Sequence, residues 1–421
     1  MNKVPARNTL YHFTTGFPYI DAADRSFSEP ELPYLHKKFE KIVNIPYYSG
    51  RECMPLPEGV SVDKSFSAVR ASRVWNPLLW LTALEDKNVR TEIRGMKGGV
   101  RRILAGGLTA LAVARWVRNV LPVDGRGSLL YTNSLSPVTL GICKGVSGRN
   151  GYRVVSRCIG GDVREENHKS LYIPYKRAGL EAVDWLFPVS SSLRDFLIRQ
   201  KKSLKSKSTV ARNGVPKAGF MIKQSTDGRR RILSCGSMVE LKRYDLLAKA
   251  MILLAKNNTK CEYEWRHMLW GKMDKSIKQL ICHEAPSNLS VIMVRGITDV
   301  VNYYKKISAD LFVHVSRSEG WGLAVSEALS CGLPVLATDS GGVADQVEES
   351  VGRLICNEIN ERELANHIGQ MLGAPSVLEA KKERARLKWE ECANSKKNYE
   401  KFANNLLKVS KSRDLAGLRL D

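Results

Sequence analysis

The sequence predicts an α/β protein of two domains, each built around a parallel sheet. Its 421 residues exceed one ordinary domain of about 100 to 200 residues. Short apolar runs alternate with helical patterns along most of the chain, which is typical of parallel α/β sheets. A polar, lysine-rich stretch divides this alternation into two complete series, and such a break indicates a linker between domains.

The first series, which we assign to residues 1–205, is expected to supply five strands and the helices between them. The strand candidates are short apolar runs at Thr9–Thr14, Ile42–Pro46, Ser128–Thr132, Tyr152–Ser156 and Trp185–Pro188. The helical patterns between them cover Glu29–Glu40, Arg70–Ala83, Val100–Val120 and Pro137–Val146. Strands that are followed by helices in this way favour a parallel sheet.

The second series follows the basic stretch KKSLKSKSTVARNGVPKAG and is assigned to residues 206–388. It restarts with the strand candidate RILSCGS at Arg231 and continues with a helix at Lys242–Ala255. Further strand candidates lie at Glu262–Leu269, Ser290–Val294, Asp310–His314 and Val335–Thr338. The same alternation predicts a second domain of the same class as the first.

The formal net charge of +23 is concentrated in two stretches. Residues 87–157 carry thirteen Lys and Arg against two acidic residues, and residues 201–231 carry ten against one. The first stretch contains GMKGGVRRILAGGLTALAVARWVRNVL, which is apolar with basic residues at both ends and includes Trp116. This segment fits either a helix on an anionic membrane surface or a core helix with a solvated basic rim, and the sequence leaves both open. Nucleic acid is not expected as a partner, because no helix-turn-helix, zinc-finger or RNA-recognition signature accompanies the charge.

Export, membrane spanning and disulfide bonding are not expected. The first residues, MNKVPARNTLYHF, lack the basic, apolar and small-residue segments of a signal peptide. The apolar stretch Ile103–Val117 is shorter than the roughly 20 residues that cross a bilayer, and Arg115 interrupts it. Nine cysteines without a CxxC pair or a Cys/His cluster favour reduced thiols over a disulfide framework or a zinc site. The sequence therefore favours a cytoplasmic location.

Two glutamates eight positions apart mark the best candidate site, in the stretch VSRSEGWGLAVSEALSCGLPVLATDSGGVADQV. A strand is predicted to end before this loop and a helix to begin at its far side. Gly320 and Gly322 let backbone N–H groups of the loop approach a ligand closely. The helix N-terminus at Leu323 and Ala324 carries a partial positive charge, which suits a phosphate.

The two carboxylates are placed to hold the two ends of a nucleotide sugar. Glu327, about two turns into the helix, suits two hydrogen bonds from the vicinal hydroxyls of a ribose. Glu319, on the loop, suits the sugar beyond the phosphates. The alternative is that Glu319 caps the helix and Glu327 is a solvated surface residue, and the spacing alone supports both interpretations equally.

The same stretch resembles the Glu-x7-Glu signature of retaining GT-B glycosyltransferases of family four, and GLPVLATDSGGVADQV resembles the strand and glycine-rich turn that follow it in that family. Four further pieces resemble bacterial capsular and exopolysaccharide-assembly members, in order, across nearly the whole chain. They are YHFTTGFPYIDAADRSFSEPELPYLHKKFEKIVNIP, SRCIGGDVREENHKSLYIPYKRAGLEAVDWLFPVS, ILSCGSMVELKRYDLL and LKWEECANSKKNYEKFANNLL. The resemblance implies two Rossmann-like domains facing a cleft, with acceptor binding at 1–205, donor binding at 206–388 and a C-terminal helix within 389–421 that crosses back to the first domain.

The resemblance also implies roles for side chains of the second domain. Lys242 holds the donor diphosphate and stabilises the leaving group electrostatically, with Arg243 beside it. Glu319 contacts hydroxyls of the transferred sugar, so that it and Lys242 are catalytic candidates. Glu327 contacts the ribose.

Backbone segments complete the implied donor site. The family often has an arginine after the glycine of the first loop of this domain; here Gly236 is followed by Ser237, so that one phosphate-binding cation is missing. The backbone of Gly296 and Ile297, in VRGIT, matches the segment that holds the base. Gly16, in the TTGFPY turn, lets the first domain approach the donor phosphate or the acceptor. The chain contains no D-x-D, and the resemblance implies transfer without a bound metal and with retention of the anomeric configuration.

One position departs from the family. Many relatives read S-R-x-H-G-x-D after the fifth strand, and this chain has Ile159 in place of the histidine. An isoleucine side chain can neither donate nor accept a hydrogen bond. Arg157 and Asp162 remain as candidates near the donor sugar, with Asp162 as a catalytic candidate. An Asp after two glycines is equally typical of a turn or cap residue.

The predicted function is transfer of a sugar from a UDP- or GDP-linked donor to a lipid-linked or oligosaccharide acceptor, in the biosynthesis of a cell-surface polysaccharide. No separate cofactor is expected, and the protein is expected to be peripheral at the anionic inner face of the cytoplasmic membrane. Two alternatives remain open. One is a catalytically impaired homologue that acts as a partner subunit, which Ile159 and Ser237 favour. The other is a nucleotide-sugar epimerase on the same fold.

Overall fold

The computed structural model describes residues 8–95, 99–412 and 414–420. The chain divides into two compact units, one from residues 1–211 with 397–421 and the other from residues 212–396. The predicted boundary at residue 205 lies six residues before this division. Residues 1–7 of the segment that lacks a signal-peptide pattern lie outside the described residues, as do residues 96–98 of the basic stretch.

The first unit contains a six-stranded parallel sheet. Its strands are β1 (Thr9–Thr14), β2 (Lys41–Pro46), β3 (Val60–Val62), β4 (Ser128–Thr132), β5 (Arg153–Cys158) and β6 (Trp185–Pro188). Their order in the sheet is β3-β2-β1-β4-β5-β6, with Tyr11 of β1 opposite Val43 and Leu130. The strand order reverses between β1 and β4, and open α/β sheets bind ligands beyond the carboxyl ends of strands at such a reversal.

Helices cover this sheet, and one of them contains the apolar segment with basic ends for which the sequence left two interpretations open. They are α1 (Arg25–Ser28), α2 (Leu32–His36), α3 (Ser65–Ser72), α4 (Pro77–Glu85), α5 (Lys87–Arg94), α6 (Val100–Val120), α7 (Pro137–Val146), α8 (Lys176–Ala182) and α9 (Ser191–Gln200). α6 buries Ile103, Trp116 and Val117, while Arg115 and Arg118 stay exposed. The segment is therefore a core helix with a basic rim. None of the helices in the described ranges is long and apolar enough to cross a bilayer.

Two helices predicted in the first unit are interrupted at prolines. Of the predicted helix at Glu29–Glu40 only α2 is formed; it begins after Pro30, has Pro33 in its first turn, and is separate from α1, which ends before the predicted range. The predicted helix at Arg70–Ala83 is divided as well, because α4 begins anew at Pro77. A proline has no amide hydrogen for the helical ladder, and its ring clashes with the preceding turn, so it starts a helix more readily than it continues one.

The second unit contains another six-stranded parallel sheet. Its strands are β7 (Arg229–Ser237), β8 (Glu262–Trp270), β9 (Leu289–Val294), β10 (Leu311–His314), β11 (Val335–Thr338) and β12 (Gly352–Ile355), in the order β12-β11-β10-β7-β8-β9. Its helices are α10 (Tyr244–Asn257), α11 (Lys275–Glu284), α12 (Val300–Tyr304), α13 (Leu323–Ser330), α14 (Glu361–Leu372) and α15 (Pro375–Cys392). Trp265 and Val313 of the sheet pack in one core with Met251 of α10 and Ile368 of α14. The order of these strands reverses between β7 and β10.

The last helix, α16 (Ser395–Lys411), belongs mainly to the first unit. Its Phe402, Leu406 and Val409 are buried in one cluster with Leu10 of β1 and Phe187 of β6. The predicted C-terminal segment, 389–421, begins inside α15 rather than at the start of this helix. The sheet of the first unit is thus covered partly by the end of the chain.

Candidate functional site

The candidate site lies in the second unit, at the carboxyl ends of β7 and β10. These neighbouring strands mark the reversal of strand order, which is the preferred ligand position in open α/β sheets. The loop after β10 runs into α13, and the loop after β7 runs into α10. The two loops contact each other, because the amide of Arg317 donates to the carbonyl of Leu241 at 2.8 Å.

Glu319 is paired with a lysine and a histidine. The Lys242 ammonium donates to its Oε1, and Nε2 of His314 lies 3.0 Å from the same oxygen. Burial by itself raises the pKa of Glu319, but the charge of Lys242 and the hydrogen bond from His314 outweigh it and hold that pKa far below the usual range. The side chain of Glu319 is 12% exposed, so the carboxylate is a partly buried anion with its own counterion, not a helix cap.

Glu327 has the opposite environment. It is the fifth residue of α13, little more than one turn into the helix rather than two. Burial, and next to it the carboxylate of Asp299, raises the pKa of Glu327 to about 7. Among the described residues no hydrogen bond or ion pair is found to this half-buried carboxylate. Glu327 is therefore neither a solvated surface residue nor a paired one, and it remains available as an acceptor for a ligand.

The loop from β10 to α13 is packed tightly on its glycines. Gly322 precedes α13 in the left-handed region, with φ of +89°, where a side chain is strained. The carbonyl of Gly320 lies against Gly342, where an added Cβ would come within 2.2 Å of it. The amide of Gly342 in turn donates to the carbonyl of Glu319 at 3.2 Å. These contacts hold the loop beside the short turn that follows β11.

A buried glutamine fixes the same loop from the other side. The Gln346 amide nitrogen donates to the carbonyl of Trp321 at 2.5 Å, and its Oε1 accepts from Ser326 at 2.6 Å. Ser326 also accepts from the indole N–H of Trp321 at 3.0 Å. The three side chains are buried and satisfy one another, so they define the position at which α13 begins.

The N-terminus of α13 presents free amides. Val325 and Ser326 already bond back to the carbonyl of Gly322. The amides of Leu323 and Ala324 precede them, in the first turn, where an α-helix leaves its N–H groups without partners inside the helix. Together with the helix dipole they favour an anionic group at this end of the loop.

Arg243 is placed differently from its predicted role beside a phosphate. Its guanidinium is buried and donates to the carbonyl of Val315 at 2.7 Å, the carbonyl of Asn357 at 2.6 Å and Oδ1 of Asn357 at 2.7 Å. It ties the end of β10 to the chain after β12. Lys242 is thus the member of this basic pair that faces Glu319, and Arg243 supports the loop.

The remaining predicted segments of this unit lie at the same edge of the sheet. Gly236, with φ of +149°, and Ser237 end β7, and His267 Nε2 lies 3.0 Å from the carbonyl of Gly236. Gly296 and Ile297 follow β9, and the carbonyl of Ile297 accepts from the indole of Trp270 at 3.2 Å.

Three residues at this edge were missed by the sequence analysis. His314 closes β10, Arg317 is an exposed cation two positions before Glu319, and Trp270 presents a half-exposed ring at the end of β8. In the sequence, the only feature that these three residues share is that each lies at or just after the end of a strand. Many residues without a function also lie at strand ends, so the sequence offers no pattern that would identify these three.

In the first unit, the turn around Gly16 already binds a carboxylate of the protein itself. Asp24 accepts the amides of Thr15, Gly16 and Phe17 at 2.7, 3.0 and 3.0 Å, and it also accepts from Asn133 at 2.6 Å. The backbone donors that were predicted to approach a phosphate or acceptor at Gly16 therefore serve an internal anion.

The structure places the other two predicted residues of this unit away from a ligand. Arg157 is 1% exposed, with its Nη2 2.8 Å from Glu31 and its guanidinium 4.2 Å from the ring centre of Phe402, so the predicted contact with the donor sugar is not supported. Asp162 accepts the amides of Leu135, Ile159 and Gly160, each at 2.9 Å. Burial raises the pKa of Asp162 to about 6 in spite of these bonds. Asp162 thus has the geometry of a turn residue that shapes the loop containing Ile159.

Comparisons with known proteins agree with this picture of the second unit. Residues 220–388 match the family model described as glycosyl transferases group 1. An uncharacterized glycosyltransferase of Methanocaldococcus jannaschii is 24% identical over 209 residues, which are 48% of this chain and 56% of that protein. The lipopolysaccharide core biosynthesis mannosyltransferase LpsB of Rhizobium meliloti is 27% identical over 140 residues, 31% of this chain and 38% of that protein. The matched region is about half of the length of the M. jannaschii protein and less of LpsB.

Solved structures extend the likeness to both units at the level of the fold. The lipopolysaccharide outer core galactosyltransferase WaaB, in its apo form, aligns with a TM-score of 0.65 at 13% identity, over 95% of this chain and 99% of that one. HepE of Anabaena in complex with UDP aligns with a TM-score of 0.63 at 15% identity, over 95% and 99%. The predicted fold class of two Rossmann-like domains is confirmed. Residues 220–388 accordingly match the group 1 glycosyl transferase model, and the chain as a whole shares the two-domain α/β fold of these solved structures.

Proposed function

We propose that the protein is a glycosyltransferase that moves a sugar from a nucleotide-sugar donor to a saccharide acceptor, of the retaining Glu-x7-Glu type. The observation that carries this proposal is the combination at one sheet edge of a partly buried anion–cation pair, Glu319 with Lys242, and an unpaired acceptor, Glu327. A nucleotide sugar has the matching parts, since its diphosphate needs a cation and its ribose hydroxyls need an acceptor. UDP or GDP is the expected nucleotide.

The diphosphate is the group on which catalysis depends. When the bond from the anomeric carbon to the diphosphate oxygen breaks, the electron pair of that bond stays on the diphosphate. Lys242 supplies positive charge there, and the amides of Leu323 and Ala324 supply N–H donors. The resemblance implies an arginine at the position of Ser237, and we propose that Arg317, an exposed cation two positions before Glu319, takes over part of that role.

Glu319 prepares the site before the donor arrives and then binds the sugar. Its bond to Lys242 holds the ammonium in place without a ligand, and His314 fixes the carboxylate from the strand side. Hydroxyls of the transferred sugar donate to the same carboxylate once Lys242 turns to the diphosphate. Glu327 accepts the ribose hydroxyls, and the base lies along the backbone of Gly296 and Ile297.

The first domain, residues 1–205, is proposed to bind the acceptor, and the donor domain spans 206–388. A lipid-linked saccharide at the inner face of the cytoplasmic membrane, in the assembly of a capsule, exopolysaccharide or lipopolysaccharide, is the acceptor we favour. The support is the net charge of +23 and the names of LpsB and WaaB among the similar proteins. We propose that transfer needs no bound metal, because Lys242 and the helix amides can supply the positive charge that a metal ion would provide.

A second candidate function is a partner subunit that binds donor without transferring its sugar. The specific observation in its favour is in the first unit, where Asp24 occupies the amides of the glycine turn and Ile159 stands at the position for which the resemblance implies a histidine. Both features remove donors from the half of the protein that would serve the acceptor.

The test is calorimetric binding of UDP, GDP and ADP to the full chain and to Glu327→Ala, followed by a transfer assay with the sugar-linked form of the nucleotide that binds. Micromolar binding of one nucleotide, lost in Glu327→Ala and kept in Glu284→Ala on exposed α11, supports the donor site. Failure of all three nucleotides to bind to a folded protein rejects it. Binding without transfer to any membrane-extracted acceptor selects the partner-subunit candidate.

A further inference from the structure

α4 is apolar on nearly all sides, yet only one of its faces is covered. Its sequence is PLLWLTALE, and Leu79 and Ala83 are buried against Leu108 and Leu111 of α6. A helix that is apolar all round is normally enclosed by protein or by lipid. The outer face of α4 has neither within the described part of the chain.

The exposed residues form a continuous ridge, which we call the α4 ridge. It consists of Val74, Trp75, Leu78, Trp80, Leu81 and Leu84. Trp75 is 84% exposed and Leu81 is 61% exposed. The indole N–H of Trp80 donates to the carbonyl of Val74 at 3.0 Å, so the turn before α4 and the helix itself are joined. Scattered apolar residues are ordinary on protein surfaces, but six within eleven positions mark an interaction surface.

Unpaired cations border the ridge. Arg90 of α5 donates through Nε to the carbonyl of Leu84 at 2.7 Å, which places its guanidinium at the end of the ridge. On the α6 side, Arg115 and Arg118 line a cavity of about 810 Å³ together with Leu78. In the described residues these three arginines form no ion pair, since Asp86 and Glu181, the acidic residues of the cavity, pair with lysines.

We propose that the α4 ridge docks this protein on a membrane surface that contains anionic lipid. The tryptophans and leucines enter the boundary between headgroups and acyl chains, and the arginines remain at the level of the lipid phosphates. Each Lys or Arg near such a surface is attracted to the negative headgroups, so the cations favour anionic over neutral lipid. The inference extends the membrane-side acceptor of the proposed function and identifies the surface that contacts the membrane.

A second copy of the chain fits the ridge less well. A two-fold interface places the same patch of both copies face to face, so Arg90 and Arg115 of one copy would approach those of the other. Like charges at the core of an interface oppose association, and interface cores are generally depleted of charge. The charge pattern therefore favours an anionic partner over a self-contact.

The experiment is vesicle flotation with the full chain, using phosphatidylcholine vesicles with and without phosphatidylglycerol. The wild type is expected to float with the anionic vesicles, less so as salt is raised. Trp75→Ser/Leu81→Glu is expected to lower the bound fraction by about tenfold or more, because two exposed apolar anchors are removed. The control is Leu387→Glu on α15, where the leucine is 56% exposed, and it should bind as the wild type does.

Three results would overturn the proposal: no flotation of the wild type, equal flotation of the ridge variant, or a dimer in analytical ultracentrifugation that the ridge variant abolishes without any vesicle binding. Leu84→Glu serves as a second variant if the first does not fold by circular dichroism. Nucleotide binding in solution is measured in parallel. The proposed nucleotide site lies in the second unit, so loss of membrane binding with nucleotide binding intact separates this proposal from the proposed function.

Discussion

At the scale of single residues, Glu319 and Glu327 have the same side chain but opposite electrostatic environments. Glu319 is held ionised by Lys242 and His314 although burial opposes it. Glu327 is buried without a cation and beside Asp299, so its pKa rises to about 7. The first is a fixed anion, and the second changes its charge near neutral pH, which makes it sensitive to whatever binds there.

Nucleotide binding is expected to release a proton from Glu327. Ribose hydroxyls donate to the ionised carboxylate, so a bound nucleotide lowers a pKa that is about 7 in the free protein. Affinity should therefore fall as the pH drops below about 7, by up to roughly tenfold per pH unit. Calorimetry in two buffers of different ionisation enthalpy measures the released protons.

The control for this prediction is Glu327→Gln, because a diphosphate also titrates near pH 6. Only the difference between wild type and variant belongs to Glu327. An unchanged pH profile and proton count in the variant would show that the ribose does not lie on this residue.

Removal of Lys242 should damage both stability and transfer. Lys242→Met leaves the Glu319 carboxylate partly buried without its cation, which is expected to cost on the order of 2 to 4 kcal/mol in the free energy of unfolding. Lys242→Met/Glu319→Gln should recover much of that loss, while kcat/KM for transfer stays at least about 100-fold down. Urea unfolding and a transfer assay measure the two effects. Normal transfer by the single variant would remove Lys242 from the chemistry.

At the scale of elements, buried strands were the most predictable part of the protein. The boundaries of β1, β4, β6 and β11 agree with the sequence prediction, because strands covered on both faces are read as continuous apolar runs. β3 and β12 were not predicted, since neither is a continuous buried apolar run: β3 is three partly exposed residues, VSV, and β12 reads GRLI with its middle residues partly exposed. Helices were predicted less well wherever a proline or a cap divided them.

The site was predictable as a set of loops and only partly as a set of contacts. The spacing of Glu319 and Glu327 predicted a loop followed by a helix, and the structure has both, in the loop after β10 and in α13. The partner of Glu319 is 77 positions away, on another strand's loop, so no local pattern reveals the pair. Arg243 and Arg157 illustrate the converse, because a cation beside a motif looks available in sequence and is enclosed once the strands are assembled.

The loop before α13 depends on Gln346 for its position. Gln346→Leu keeps the volume but leaves the carbonyl of Trp321 without its donor, which is expected to cost about 1 to 3 kcal/mol of stability. Nucleotide affinity should fall by about tenfold, because the amides at the start of α13 move with the loop. Gln370→Leu on exposed α14 is the matched control, expected within about 0.5 kcal/mol of wild type. Equal effects of the two substitutions in thermal unfolding and calorimetry would contradict this role.

At the scale of the whole molecule, the first unit is built from both ends of the chain. Phe402 of α16 packs against Tyr131 and Phe187, with ring centres 5.5 and 5.2 Å away, and Arg157 lies over its other side. The unit is therefore incomplete without the last helix, whereas the second unit is formed by one uninterrupted segment.

Truncation of that ring should destabilise one unit selectively. Phe402→Ala is expected to lower the stability of the first unit by about 3 to 5 kcal/mol, through lost burial and the cavity left behind. Lys401→Ala, on the exposed side of the same helix, should have little effect. Limited proteolysis followed by mass spectrometry should show new cleavage within residues 9–211 and unchanged protection of residues 212–396. Cleavage confined to the second unit would contradict the assignment of α16 to the first.

The position of α16 also sets the order in which the protein is completed on the ribosome. Synthesis begins with the strands of the first unit, but Phe402, Leu406 and Val409 are added only after residues 212–396 have been made. Domains generally fold as units while the chain emerges. The unit that is translated first is thus the unit that completes its folding last. Its core needs a helix that lies about 180 residues downstream of the rest of that core.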